Sequence, residues 1–138
     1  MEREILFRGK LEYNGKWIYG DLLQYENGDV AIFRYKLSSF GCECTEMSKR
    51  DRVTPDTIGQ YTGLTDKNGK KIFEGDIVTI DNNLKAVVIW FNGSFRFKDE
   101  LSSKATYLVD IGAIMRDYDV HVVSNIHDNP EMMKGGTV

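Results

Sequence analysis

Residues 60–78 read QYTGLTDKNGKKIFEGDIV, the stretch of this chain where acids, lysines and glycines crowd together. That mixture could serve a cation, a phosphate or an acid–base pair. A helix–loop–helix calcium site needs acids at loop positions one, three and five, glycine at six and glutamate at twelve. With Gly69 at position six, position one is Leu64 and position twelve is Gly75, so the pattern fails. A phosphate-binding loop needs four residues between its glycines and a terminal Gly-Lys-Ser/Thr. Here five residues part Gly63 from Gly69, and Lys70 is followed by Lys71. A turn between two strands accounts for the composition better. Asp66 can capture backbone N–H groups, Asn68-Gly69 tolerates positive φ, and the lysines sit in water.

Two further sets invite chemistry. Glu74 and Asp76 occupy alternate positions, which on a strand puts both carboxylates on one face, as an acid–base or metal pair requires. No histidine, third acid or nucleophile stands near them in sequence, so Gly75 as a kink and Asp76 as a strand start is the preferred reading. Cys42 and Cys44 are separated by one residue, whereas structural zinc uses a spacing of two to four. The histidines, His121 and His127, lie far from both cysteines. The thiols are read as small half-buried loop residues, and His121 as facing out from a strand or meeting a carboxylate. No G-x-S-x-G motif or Cys-His-Asn signature accompanies it. The sequence thus predicts no catalytic, metal or cofactor-binding residue and no enzyme activity.

What remains is binding. The chain of 138 residues is 41% hydrophobic and 12% aromatic, enough for a packed interior and too apolar for disorder. Its net charge of −3 gives no global pull toward nucleic acid or an anionic membrane. The longest apolar run, AVVIWF at 86–91, cannot span a bilayer, and the N-terminus lacks a secretory pattern. A cytoplasmic location with reduced cysteines is expected. The candidate partner or nucleic-acid surface comprises Trp17, Tyr19, Tyr61, Lys70, Lys71, Arg96 and Lys98, basic and aromatic residues of the kind that small barrels expose. Acidity and the lack of a basic run disfavour nucleic acid. A protein partner, or further copies of the chain in a homo-oligomer, is the favoured class, with nucleic acid the alternative and an enzyme third.

The elements that would carry these residues are mostly strands. Residues 3–13 alternate with period two, and Asn14-Gly15 predicts a hairpin into a partner over 17–24. A second turn, ENGD at 26–29, leads to VAIFRY at 30–35, completing a meander. Residues 36–56 lose periodicity and read as a loop or boundary with a short extended piece inside. Strand patterns resume at 58, with KIF, DIVTI, KAVVIWF and SFRFKD separated by EG, DNN and NG, the signature of a small barrel or sandwich. In AVVIWF both parities are apolar, which predicts a strand buried on both faces, under the other subdomain or in a subunit interface. A short helix is favoured over 105–116 and a last strand over 119–126. Asn129 with Pro130 then suggests a terminal helical turn.

With those residues in view, the chain resembles the YopX family. ILFRGKLEYNGKWIYGDLLQ is similar to the family's FRGK…NGKWVYGDL opening, TIGQYTGLTDKNGKKIFEGDIV to its most specific signature, and VVSNIHDNPEM to its VIGNIYENPEL close. The motifs keep the family's order. Ser124 departs from a frequent glycine, and Cys42–Cys44 fall in a variable region. The resemblance implies a phage- or prophage-encoded accessory protein in a bacterial host. It also implies a mainly β fold whose C-terminal part is an SH3-type small β-barrel, and it brings no assigned catalytic residues. The expected architecture is an N-terminal antiparallel meander with its variable loop over 1–56, and the barrel with a C-terminal tail over 57–138, with one or two short helices.

Overall fold

The structure is a computed structural model that describes residues 3–34, 49–99 and 110–133. The chain divides into two units, Met1–Gln60 and Tyr61–Val138. Tyr35, Cys42, Cys44 and the first part of the expected helix lie outside the described residues.

The first unit is an antiparallel meander: β1 (Phe7–Lys10), β2 (Trp17–Gln24), β3 (Val30–Arg34) and β4 (Lys49–Arg52), side by side in reverse chain order. Alternation sends Ile18, Leu22 and Ile32 to one face, where they meet Leu11 and Val53 in a buried cluster. The β1–β2 connection is longer than the two-residue turn that Asn14-Gly15 suggests. Lys10 pairs with Trp17, and the turn closes through Leu11 N to Lys16 O at 2.8 Å. Only Gly15 takes positive φ, while the Asn14 side chain accepts from Lys16 N at 2.9 Å. β4, with the sequence KRDR, is the extended piece hidden in the aperiodic stretch. A 3-10 turn at Pro55–Thr57 follows, fixed by Thr57 Oγ1, which accepts from Lys10 N at 2.9 Å and donates to Thr54 O at 2.6 Å.

β5 (Gly59–Thr65) begins in the first unit, where Gly59 and Gln60 pair with β1. Its remainder pairs with β6 (Lys71–Phe73) in the second unit. There β7 (Asp76–Ile80), β8 (Leu84–Phe91), β9 (Ser94–Asp99) and β10 (Val120–Asn125) form an antiparallel sheet in the order β10-β7-β8-β9. Among the described residues no pairing joins β9 to β10, so these pairings define a sheet and do not close the expected barrel. Ile72, Val78, Ala86, Val88, Phe97 and Val120 pack into one core. The helix α1 (Ile111–Met115) adds Ile111 to it and is capped by Asp110, whose Oδ1 accepts from Ala113 N at 2.9 Å.

After β10 the chain turns around Asn125. Its Oδ1 accepts from His127 N at 3.0 Å and Asp128 N at 2.9 Å, and its Nδ2 donates to Asp128 Oδ2 at 2.9 Å. A 3-10 turn at Pro130–Met133 follows where the sequence predicts a helical turn. Asn125→Ala is expected to cost about 1–2 kcal/mol, since it strands two backbone donors at a buried position. A urea melt that moves by less than about 0.5 kcal/mol, the scatter of inert surface changes, would count against this role.

Candidate functional site

The glycine-rich stretch is a β5–β6 hairpin turn, and Asp66 is the residue that makes it. Asp66 is only 6% exposed. Its Oδ1 accepts from Asn68 N at 2.9 Å and Lys70 N at 2.8 Å, folding the turn on itself. Its Oδ2 accepts from Val122 N at 2.9 Å, tying the turn to β10, and Lys67 N donates to Val120 O at 3.0 Å beside it. Burial pushes the Asp66 carboxyl up. The N–H groups of Val122, Lys70 and Asn68, helped by the charge of His121, outweigh this and hold it below its ordinary value of 3.8. The oxygens that a cation would need are thus already directed at backbone donors.

Of the Glu74/Asp76 pair, Asp76 likewise serves a turn. Asp76 is buried and its Oδ2 accepts from Phe73 N at 2.8 Å, bracing the β6–β7 turn, in which Gly75 takes a φ of 93°. His121 Nδ1 lies 3.4 Å from Asn68 Nδ2. Among the described residues no three His, Cys, Asp or Glu side chains converge as a metal site. An open hollow of about 350 Å³ lies beside the turn, walled by Thr65, Lys67, Met115, Tyr118 and Asp119. Lys67 Nζ and Asp119 Oδ1 pair across it at 3.3 Å.

The seven sequence-derived surface residues fall into separate groups. Trp17 and Tyr19 stand on β2, with the Arg8 guanidinium 4.6 Å and the Lys10 ammonium 5.4 Å from the centre of the Trp17 ring. Lys70 and Lys71 are exposed, but Tyr61 is only 8% exposed. Its ring packs against Phe73 at 5.6 Å, and Lys71 Nζ lies 5.7 Å away, so it is no open platform. Arg96 and Lys98 share the outer face of β9. Arg96 is engaged, with Nε donating to Ser94 Oγ at 2.8 Å and its guanidinium 5.8 Å from the Phe91 ring.

The two-faced run of β8 is half as expected. Ala86, Val87 and Val88 are buried inside this one chain, so the middle of the strand needs no second subunit. The end of the run is different: Trp90 is 55% and Phe91 41% exposed. A two-residue turn at Asn92-Gly93, with φ values of 50° and 82°, carries the strand end past the core. Trp90 meets Phe95 edge-on at 4.9 Å on one face of the hairpin, and Phe91 meets Arg96 on the other. The sequence carries a signal for this, since the aromatic pair directly precedes the turn.

The fold and these surfaces define a mainly β chain of two units whose signature acids serve backbone turns. The chain belongs to the YopX family: the family profile described as YopX protein matches residues 6–134. Among solved structures, the crystal structure of protein EF1440 from Enterococcus faecalis is similar in fold, with a TM-score of 0.60 and 24% identity over 96% of this chain and 100% of that one. No curated protein matches the chain. No helix among the described residues is long and apolar enough to cross a membrane.

Proposed function

We propose that this protein is a non-enzymatic phage or prophage accessory that works by binding protein, and that the end of the β8–β9 hairpin is its docking point. The observation that carries the reading is the exposed pair Trp90 and Phe91, backed by Phe95 and Arg96. Aromatic rings and arginine together make up the residues that dominate interface energies, and large rings left in water at a turn are otherwise unfavourable. A second copy of the chain is the partner to test first, because a homo-oligomer needs no further component.

Light scattering across a range of concentrations tests the idea. The expected mass rises with concentration to a multiple of 15.8 kDa. Trp90→Ser is expected to weaken that association by about 10- to 30-fold, the loss typical of a central aromatic contact. A wild-type chain that stays monomeric throughout, or a Trp90→Ser variant that associates like wild type, removes this reading.

A further inference from the structure

Four Asn-Gly pairs stand in this chain, Asn14-Gly15, Asn27-Gly28, Asn68-Gly69 and Asn92-Gly93, each in a turn between two strands. An asparagine before glycine carries a latent reaction, one reason asparagine counts among the thermolabile residues. The glycine amide nitrogen can attack the asparagine Cγ, and glycine alone lacks the Cβ that would hinder the approach. In a folded chain the reaction requires that this nitrogen and this side chain be free. Sequence cannot distinguish the four pairs on that point; the hydrogen bonds can.

Three of the pairs are tied at both groups. Gly15 N donates to Leu11 O at 2.8 Å, and Asn14 Oδ1 accepts from Lys16 N at 2.9 Å. Gly28 N donates to Tyr25 O at 3.0 Å, while the Asn27 amide accepts from Asp29 N at 3.0 Å and donates to Asp29 Oδ2 at 3.1 Å. Gly69 N donates to Asp66 O at 3.0 Å, and Asn68 Nδ2 faces His121 Nδ1 at 3.4 Å. The fourth pair differs. Phe91 and Ser94 pair across the turn and leave Asn92 and Gly93 exposed at its tip. Among the described residues neither the Asn92 side chain nor the Gly93 N–H has a hydrogen-bond partner. No heavy atom beyond the chain neighbours stands within 4 Å of where a Cβ on Gly93 would lie, so the nitrogen is open to approach.

We infer that Asn92 is a site of spontaneous deamidation, a modification that changes the β8–β9 turn with time. Hydroxide takes the proton from Gly93 N, the nitrogen bonds to Asn92 Cγ, and the Cγ–Nδ2 bond breaks with loss of ammonia. Water then opens the resulting succinimide ring at either carbonyl. One product is aspartate. The other is isoaspartate, in which the main chain runs through the former side chain. Water and hydroxide are the only co-reactants. Either product puts a negative charge next to Phe91 in the chain, and isoaspartate lengthens a two-residue turn by one carbon. The reaction itself is independent of any docking at this hairpin.

Incubation of the full chain in mildly alkaline buffer, followed by proteolysis, chromatography and mass spectrometry, tests the inference. Aspartate and isoaspartate peptides elute apart, and both carry the mass gain of an amide turned acid. The peptide holding Asn92 is expected to convert at least about fivefold faster than those holding Asn14, Asn27 and Asn68, since hydrogen bonds at both reacting groups must open before those can react. Unfolding in urea should bring the four rates close together, because the bonds that separate them are then gone. Trp90→Ser, measured in parallel, removes any cover that a second copy gives the turn and is expected to convert at Asn92 no slower than wild type. The inference is overturned if Asn92 is not the fastest of the four in either folded protein, or if it stays intact in both while the unfolded chain converts. Rates that differ among the four as much in urea as in the folded chain would overturn it equally, since the fold would then play no part.

Discussion

Replacing Asp66 by asparagine is expected to destabilise the second unit by about 2–4 kcal/mol at neutral pH, from the loss of charge-assisted bonds and the misdirection of one of them. Oδ1 could still accept from Asn68 N and Lys70 N, but the amide nitrogen would face Val122 N, donor against donor. Flipping the amide only moves the conflict into the turn. The pH dependence has a definite sign. The folded Asp66 titrates below its ordinary value of 3.8, so the unfolded chain takes up a proton first as pH falls. The stabilisation is therefore full above about pH 4 and disappears as pH drops through the lower folded value. Urea melts at pH 7 and at about pH 3 should show the wild type losing more stability than Asp66→Asn on acidification. Equal losses, or a variant within about 0.5 kcal/mol of wild type at pH 7, would sink this account of the turn.

The turn itself was legible in the sequence, because an Asp two residues before Asn-Gly captures backbone N–H groups by short-range geometry. Its third bond was not. Val122 lies 56 residues away, and local pattern carries no information about which strand end will arrive beside a turn. The same limit explains β4. Its KRDR sequence has no apolar alternation, so its place beside β3 is set by pairing and not by hydrophobic pattern. The run at residues 86–91 was legible as a two-faced strand, yet composition alone could not say where the core ends along it. Trp90 and Phe91 are as apolar as Val87 and Val88, and only the hairpin turn places them beyond cover.

The family motifs gain a physical meaning from these details. Asp66 and Asp76 sit in the central match to the family pattern and Asn125 in the closing one, and each is a buried side chain whose oxygens accept from backbone N–H groups of a turn. A buried N–H left without a partner costs about 1–3 kcal/mol, so each such position tolerates few residue types. Restriction of residue type at such turns therefore needs no catalytic role to explain it. The docking point proposed for this scaffold lies instead at a hairpin end, where side chains can vary without unpairing the backbone.

Gly20→Ala is the second large effect, and here the cause is space. An alanine Cβ at position 20 would lie 2.3 Å from the carbonyl oxygen of Phe33 and 3.0 Å from Ile32 Cγ2. The oxygen belongs to the backbone of β3, so no side-chain rotation relieves the contact, and β2 must part from its neighbour or twist away. Gly9 provides the contrast, because an added Cβ there meets only the side chain of Val53, at 3.1 Å. Gly9→Ala is expected to cost about 1–2 kcal/mol, ordinary overpacking, and Gly20→Ala about 3 kcal/mol or more. Hydrogen exchange should then show protection falling across residues 17–24 and 30–34 in Gly20→Ala, while the Val78–Val88–Phe97 core strands of the second unit keep theirs. If Gly20→Ala melts with Gly9→Ala, or if its protection falls evenly through both units, the close approach of β2 to β3 is not what fixes glycine at this position.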